Sequence, residues 1–334
     1  MVLQALRLKG PVLVLDAGNA LFRTPALSGV EGPALSLSKG PVLSLSKEPT
    51  LSDDRADKER ATFILSTMGK LGTAAMPAGM RDLSAGIDFL KKTAAASKVS
   101  VLSVNLEMGG KLVFPASLTT TVNGLRVGIV GVSPPGKVAA IAGAQAGPIT
   151  LAVAEAGRLR PKVDVVVVLA AISYVDALQL AKQASGSVDF VLQSSESRGE
   201  GNAQQNGEVF VFPTGERGRQ LGQLELQISG KGAFFDLSQI ERSTRTLELI
   251  ERQKAEAERR LQEAIDPTVK MSLATTLAHF EERAAALRSQ MASAKGSSKS
   301  RTLTLSFTNL GADVPDDPAL KAVVAKLEPH PPDH

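Results

Sequence analysis

Three groups of residues in this chain have types and spacings that could carry chemistry, and each has a plainer use. Gly131-Val-Ser-Pro-Pro-Gly136-Lys137 has the G-x-x-x-x-G-K spacing of a phosphate loop and follows a β-branched run. Such a loop needs backbone N–H groups around the phosphates and a hydroxyl after the lysine for magnesium. Pro134 and Pro135 each remove a donor and Val138 has no hydroxyl, so the segment reads as a turn that ends a strand. Asp53, Asp54 and Asp57 could supply three oxygens to a metal. Placed just after Ser52, they fit better as the acidic first turn of a helix capped by that serine. The histidines, His279, His330 and His334, lie beside an apolar helical seam and in a Pro-rich tail, so no Ser-His-Asp set can be assembled in the first 240 residues. With no Cys there is no thiolate nucleophile, zinc-thiolate site, Fe–S cluster or covalent haem, and no cofactor is expected.

Composition narrows the partners. The 334 residues carry 38 Lys+Arg against 34 Asp+Glu, and the basic residues are scattered. Eleven Phe, one Tyr and no Trp offer no obvious base-stacking surface, so no nucleic-acid partner is expected. No run approaches the roughly 18 apolar residues that a membrane span needs. The run from Val163 to Ile172 contains Asp164 and has the length of a buried strand.

The elements that must position any site follow from periodicity. Residues 1–240 alternate β-branched runs with Ala/Leu-rich stretches. Strands are expected at 11–15, 98–104, 117–122, 125–131, 163–170, 188–192, 208–212 and 221–228, and helices at 53–70, 84–96, 148–159 and 174–185. Val165 to Leu169 is apolar without alternation, as in a strand covered on both faces. Asn123-Gly124 supplies the positive φ of a type I′ turn, so its flanks should pair antiparallel. A layered α/β sandwich with a mixed sheet accommodates all of this. The chain opens almost directly on the core-like run Pro11 to Leu15, as though in mid-domain.

Two segments depart from that pattern. Gly32 to Lys39 is repeated at Gly40 to Lys47 with one change, Ala34 against Val42. Two copies are too few for a solenoid, so residues 28–47 are expected to be a surface-loop insertion. Beyond residue 240, Leu247, Ile250, Lys254, Ala257, Leu261 and Ala264 step by three and four. Asp266-Pro267 interrupts, and Leu273, Leu277, Phe280, Ala284, Leu287, Met291 and Ala294 resume the stepping. An antiparallel αα-hairpin over 241–295, coiled-coil-like along its seam, is predicted. Pairs such as Glu248–Arg252 and Glu256–Arg260 would lie on its outer faces. Residues 296–334 should add a strand at 301–307, a short helix at 316–327 and a frayed tail.

Read in order, the α/β body resembles the calcineurin-like metallophosphoesterases, and within them the bacterial 5′-nucleotidases. Val12-Leu-Val-Leu-Asp-Ala-Gly-Asn19 is similar to the family strand that ends in Gly-Asp, and Ala75-Met-Pro-Ala-Gly-Met-Arg-Asp-Leu83 to its A-x-x-x-G-N-H-E-F segment. Val101-Leu-Ser-Val-Asn105 resembles the next strand, followed by Gly124-Leu-Arg-Val-Gly-Ile-Val-Gly131. Val163 to Ala171 corresponds to the strand that ends in a metal-ligating His, and Val188 to Ser197 to the strand and loop carrying G-H-T-H. Thr214 to Leu224 resembles the closing strand. The match covers most of residues 11–230.

That resemblance implies a layered α/β/β/α fold, two metals held by His, Asp and Asn, hydrolysis by a metal-activated water, and work in the periplasm or at the cell envelope. The catalytic letters differ. Asn19 stands where the metal-bridging Asp belongs; Met80 and Arg81 replace the Asn and catalytic His; Asp82 replaces the Glu; Ala171 replaces the next His; Ser195 and Ser197 replace the last pair. The family's N-terminal D-x-H strand is missing. The expectation is therefore a degenerate domain without metal that serves as a binding or scaffolding module, the 245–294 hairpin being either an arm for a protein partner or a lid over the former active face. The alternative is an active 5′-nucleotidase-like hydrolase. Arg81 could hold a nucleotide, phosphate or carboxylate in the former metal pocket, although a salt bridge to Asp82 or Asp16 is the commoner use of such an Arg.

Overall fold

The computed structural model describes residues 2–22, 51, 54–138, 141–194, 203–214, 218–296, 301–311 and 313–327. The 28–47 insert, Ser52, Asp53, Ser195, Ser197, His330 and His334 lie outside them. The chain forms two compact units, residues 222–308 and the remainder. The strand expected at 301–307 thus goes with the helical hairpin, whereas residues 309–311 and 313–327 belong to the α/β unit.

In chain order the first unit contains α1 (Val2–Lys9), β1 (Val14–Leu15), α2 (Arg55–Lys70), β2 (Thr73–Pro77), α3 (Ile87–Ser97), β3 (Ser100–Leu102), β4 (Leu106–Met108) and β5 (Lys111–Leu112). It continues with β6 (Ser117–Val122), β7 (Leu125–Val132), β8 (Gly136–Lys137), β9 (Ala144–Ala146), α4 (Thr150–Leu159), β10 (Val165–Ala170), α5 (Tyr174–Gln183), β11 (Phe190–Gln193), β12 (Gln204–Asn206) and β13 (Val209–Pro213). β14 (Gln220–Ile228) begins at the unit boundary, and β15 (Phe235–Asp236), α6 (Leu237–Glu263), α7 (Pro267–Gly296) and β16 (Arg301–Asn309) follow. α8 (Pro318–Leu327) closes the described chain within the first unit.

The first unit is an α/β/β/α sandwich. One inner layer is a parallel sheet ordered β1-β2-β3, and the other is a mixed sheet ordered β12-β13-β11-β10-β7-β6. In the second, β7, β10, β11 and β13 run parallel, and the edges β6 and β12 are antiparallel. β10 lies between two parallel neighbours, and all six of its residues are buried, as its unbroken apolar run requires. Asn123 (φ 50°) and Gly124 (φ 79°) make the expected turn, with Val122 opposite Leu125.

Each sheet has its own helical cover. Ala61 and Leu65 of α2 and Ile87, Leu90 and Ala94 of α3 pack with Met76 and Val101 on one side. Ala152, Ala156 and Leu159 of α4 and Ala177, Leu180 and Ala181 of α5 pack on Val130, Val132, Val166, Val168 and Val191 on the other. Small residues on α4 and α5 let the helices approach the β-branched sheet. Where β3 meets β7, the sheets come so close that a Cβ on Gly131 would lie 2.3 Å from the Leu102 carbonyl oxygen. Only glycine fits there.

Several sequence expectations need correction. β2, the middle strand of the parallel sheet, was not foreseen, because Thr-Ala-Ala-Met-Pro carries little β propensity and is held by its neighbours instead. Helix α2 begins at Arg55 with Asp54 as its N-cap, the carboxylate accepting from the Ala56 amide at 2.8 Å, rather than with Ser52. Gly136 and Lys137 form a short strand paired with β9, and among the described residues no helix follows before α4, so the phosphate-loop spacing is coincidental. The small antiparallel sheet β5-β4-β9-β8 was also not anticipated.

In the second unit, Glu251 of α6 pairs with Arg288 of α7, and Lys254 with Glu281, so the helices run antiparallel as predicted. Ile250, Ala257 and Ala284 are buried in the seam. Glu256 pairs with Arg259, one turn position earlier than the Arg260 expected.

Candidate functional site

The carboxyl ends of the parallel strands β1, β2, β3, β7, β10 and β11 are where an α/β sheet gathers functional loops. After β1, Gly18 (φ 88°) and Asn19 (φ 60°) turn the chain through left-handed backbone. Gly18 is obligatory on a second count, since a Cβ there would sit 2.8 Å from Pro77 Cγ. The turn aims three successive amides, those of Asn19, Ala20 and Leu21, at the carboxylate of Asp82, which stands in the loop after β2.

Asp82 is wholly buried, and its two oxygens accept four backbone N–H bonds. Oδ2 takes Asn19 (2.7 Å) and Gly79 (3.0 Å), and Oδ1 takes Ala20 (2.9 Å) and Leu21 (3.2 Å). Burial, and to a smaller extent the neighbouring Asp16 carboxylate, pushes the Asp82 pKa up to about 7, while the amides of Asn19, Leu21 and Gly79 work to lower it. Asp16, which caps the Gly18 amide at 2.7 Å, is likewise pushed up to about 6 by burial.

Asn19 reciprocates. Its Oδ1 accepts the Arg81 amide (3.3 Å), and its Nδ2 reaches the carbonyl and hydroxyl oxygens of Ser194 after β11, both at 3.4 Å. Ser194 Oγ in turn donates to the Ala17 carbonyl. A Cβ on Gly79 would lie 2.4 Å from Asn19 Oδ1, so glycine is needed for the loops to interlock.

A second buried network ties β3 to β7. Asn105 Nδ2 donates to the carbonyls of Ser133 (2.8 Å) and Gly147 (3.0 Å), and its Oδ1 accepts the Ser133 amide (2.9 Å). Ser133 Oγ donates to the Ala78 carbonyl at 2.6 Å and lies 2.8 Å from Ser103 Oγ. Sequence reasoning passed over Ser103, Asn105 and Ser133 as site residues. The signal available was a polar residue just past the end of each apolar strand.

Of the residues singled out in the sequence, Asn19, Arg81 (through its amide) and Asp82 come together, and Ser194 joins them. Met80 does not: it is buried in the apolar cluster under α3. Ala171 is buried after β10, its amide bonded to the Val132 carbonyl. His279 is exposed on α7. Among the described residues no group of three or more His, Asp or Glu side chains is placed to hold a metal.

Fold comparison returns a consistent set of proteins. A 5′-nucleotidase precursor from Thermus thermophilus superposes with a TM-score of 0.45 at 23% identity, covering 52% of this chain and 39% of its own. The NAD nucleotidase of Haemophilus influenzae gives 0.45 at 16%, covering 52% and 35%. A calcineurin-like phosphoesterase from Bacillus subtilis gives 0.37 at 22%, covering 49% and 60%. The likeness is to 5′-nucleotidases and calcineurin-like phosphoesterases. This chain spans less than two fifths of the length of either nucleotidase. No protein-family model and no curated protein matches the sequence.

The donor set of the site can be tested against the two cations that the resemblance implies. Hard or borderline divalent ions need free carboxylate, amide-carbonyl or imidazole donors. Here both Asp82 oxygens are spent on amides, Asn19 Oδ1 and Asn105 Oδ1 each accept an amide, and Ala171 has no donor atom. The described residues do not fit a two-metal centre.

Proposed function

We propose that this protein is a catalytically degenerate relative of the metallophosphoesterases that acts by binding rather than by hydrolysis. One observation carries the reading: Asn19, which stands where the family resemblance calls for the metal-bridging Asp, is engaged with Asp82 in an interlock of protein hydrogen bonds that a cation would have to break. A buried polar network that is fully satisfied rigidifies its surroundings and is costly to open. Loops closed by side-chain bonds in this way serve as scaffold.

The hairpin of α6 and α7 is the surface we assign to a protein partner. Its turn presents Ile265 (93% exposed), Met271 (69%) and Val269 (47%), apolar side chains clustered at one end of a helical pair.

The test is metal content and turnover together. Purified protein, equilibrated with manganese and zinc and then desalted, is expected to retain less than about a tenth of an equivalent by plasma mass spectrometry. It should also leave 5′-AMP and bis(p-nitrophenyl) phosphate unhydrolysed above background. About two equivalents of metal with metal-dependent turnover would overturn the reading and restore the hydrolase.

A further inference from the structure

The loop after β1 is built as an anion cradle. A pair of residues that turns the backbone tightly can present the following N–H groups to a common point, a geometry that binds anions. Gly18 and Asn19 are such a pair, and the amides of Asn19, Ala20 and Leu21 converge, joined from the next loop by Gly79. The four donors divide two and two between the oxygens of a single carboxylate. The hydrogen bonds that reach that carboxylate come from backbone amides.

From this we infer that residues 18–21 and Gly79 form a carboxylate-binding site that is filled in cis by Asp82. A small carboxylate from solution can take the place of the Asp82 side chain when that side chain is removed. The recognised chemistry is one planar carboxylate with a small, uncharged remainder. Acetate carries the same carboxylate on a single carbon, with its methyl displaced from the Asp82 methylene position because it is not bonded to the backbone. The inference does not depend on whether the protein is a hydrolase, because it concerns the role of Asp82 alone: an internal ligand that joins the β1 and β2 loops. Asp82 is accordingly a positioning residue for the site.

The experiment is chemical rescue. Asp82→Gly is expected to lower the melting temperature by about 5 °C or more. About 100 mM acetate should then recover at least half of the loss, saturably, because a ligand that binds only the folded state stabilises by mass action. Sodium chloride at equal ionic strength and acetamide, the uncharged isostere, should not. Wild-type protein, its cradle already filled, should shift by less than about 1 °C in acetate. Acetate and acetamide acting alike on the variant, or acetate shifting wild type as far as the variant, would overturn the proposal. If Asp82→Gly fails to fold in every buffer, Asp82→Asn carries the test. One carboxylate oxygen is then replaced by an amino group facing two N–H donors, and exchange of the amides at 19, 20, 21 and 79 should accelerate about tenfold or more. Unchanged exchange there would show that the amides do not depend on a carboxylate, and the inference would fall.

Discussion

Asp16 and Asp82 place two carboxyl groups in one poorly solvated corner, and this has a measurable consequence. An unfolded Asp ionises near 3.8, whereas folded Asp16 is pushed up to about 6 by burial. Between about pH 4 and pH 6 the folded chain therefore keeps a proton that the unfolded chain has lost. Stability falls as pH rises through that window, and the contribution is level on either side of it. A shift of about two units corresponds to about 3 kcal/mol at most, and about 1–2 kcal/mol once partial solvation is allowed for. Asp16→Asn keeps an oxygen for the Gly18 amide and removes the charge. It is expected to stabilise the protein by about 1–2 kcal/mol at pH 8 and to match wild type below pH 4. Urea unfolding at the two pH values checks this, and an equal effect at both would refute it. At this scale much was legible in the sequence: Asn19, Arg81 and Asp82 stood out by position. Their actual partners did not, since the Asp82 oxygens go to amides 61 to 63 residues away as well as to Gly79. Backbone donors have no letter in a sequence.

Among the elements, the hairpin shows how one residue can set pairing. Lys254 sits in an otherwise apolar seam, half-buried, and reaches Glu281 of α7 at 2.9 Å and Glu258 of its own helix at 3.7 Å. A charge at a seam position specifies register and partner number at some cost in stability. Lys254→Leu is expected to raise the melting temperature of the hairpin unit and to produce concentration-dependent dimers or higher species. Size-exclusion chromatography with light scattering reads this, and a variant whose mass matches wild type at all concentrations would count against a register role for Lys254. The seam was readable from its three-and-four stepping because neighbouring helices are local and the Asp266-Pro267 break is explicit. β2 was unreadable for the opposite reason. Thr73–Pro77 has no alternating β-branched pattern and is a strand only because β1 and β3 flank it.

For the molecule as a whole, burial is uneven, and stability should be too. The six residues of β10 are all buried, and Val167 to Ala170 are paired on both sides, whereas along the paired helices only Ile250, Ala257 and Ala284 fall among the buried apolar residues of the described seam. Amides in β7 and β10 should exchange only through global opening, and those between 255 and 283 about a hundredfold faster or more. Mass-spectrometric hydrogen exchange decides it, with uniform protection as the disconfirming result. The layered α/β class, the four principal helices of the α/β body, the Asn123-Gly124 turn and the antiparallel hairpin were all determined by the sequence itself, because each follows from periodicity, turn chemistry or capping within a short window. The tertiary structure alone decided how the strand ends converge, which glycines the close approaches at Gly79 and Gly131 require, and that Asn19, Arg81 and Asp82 meet through hydrogen bonds between side chains and backbone amides. Those outcomes depend on contacts between residues far apart in the chain, where a polar side chain is defined by what happens to face it rather than by its neighbours in sequence.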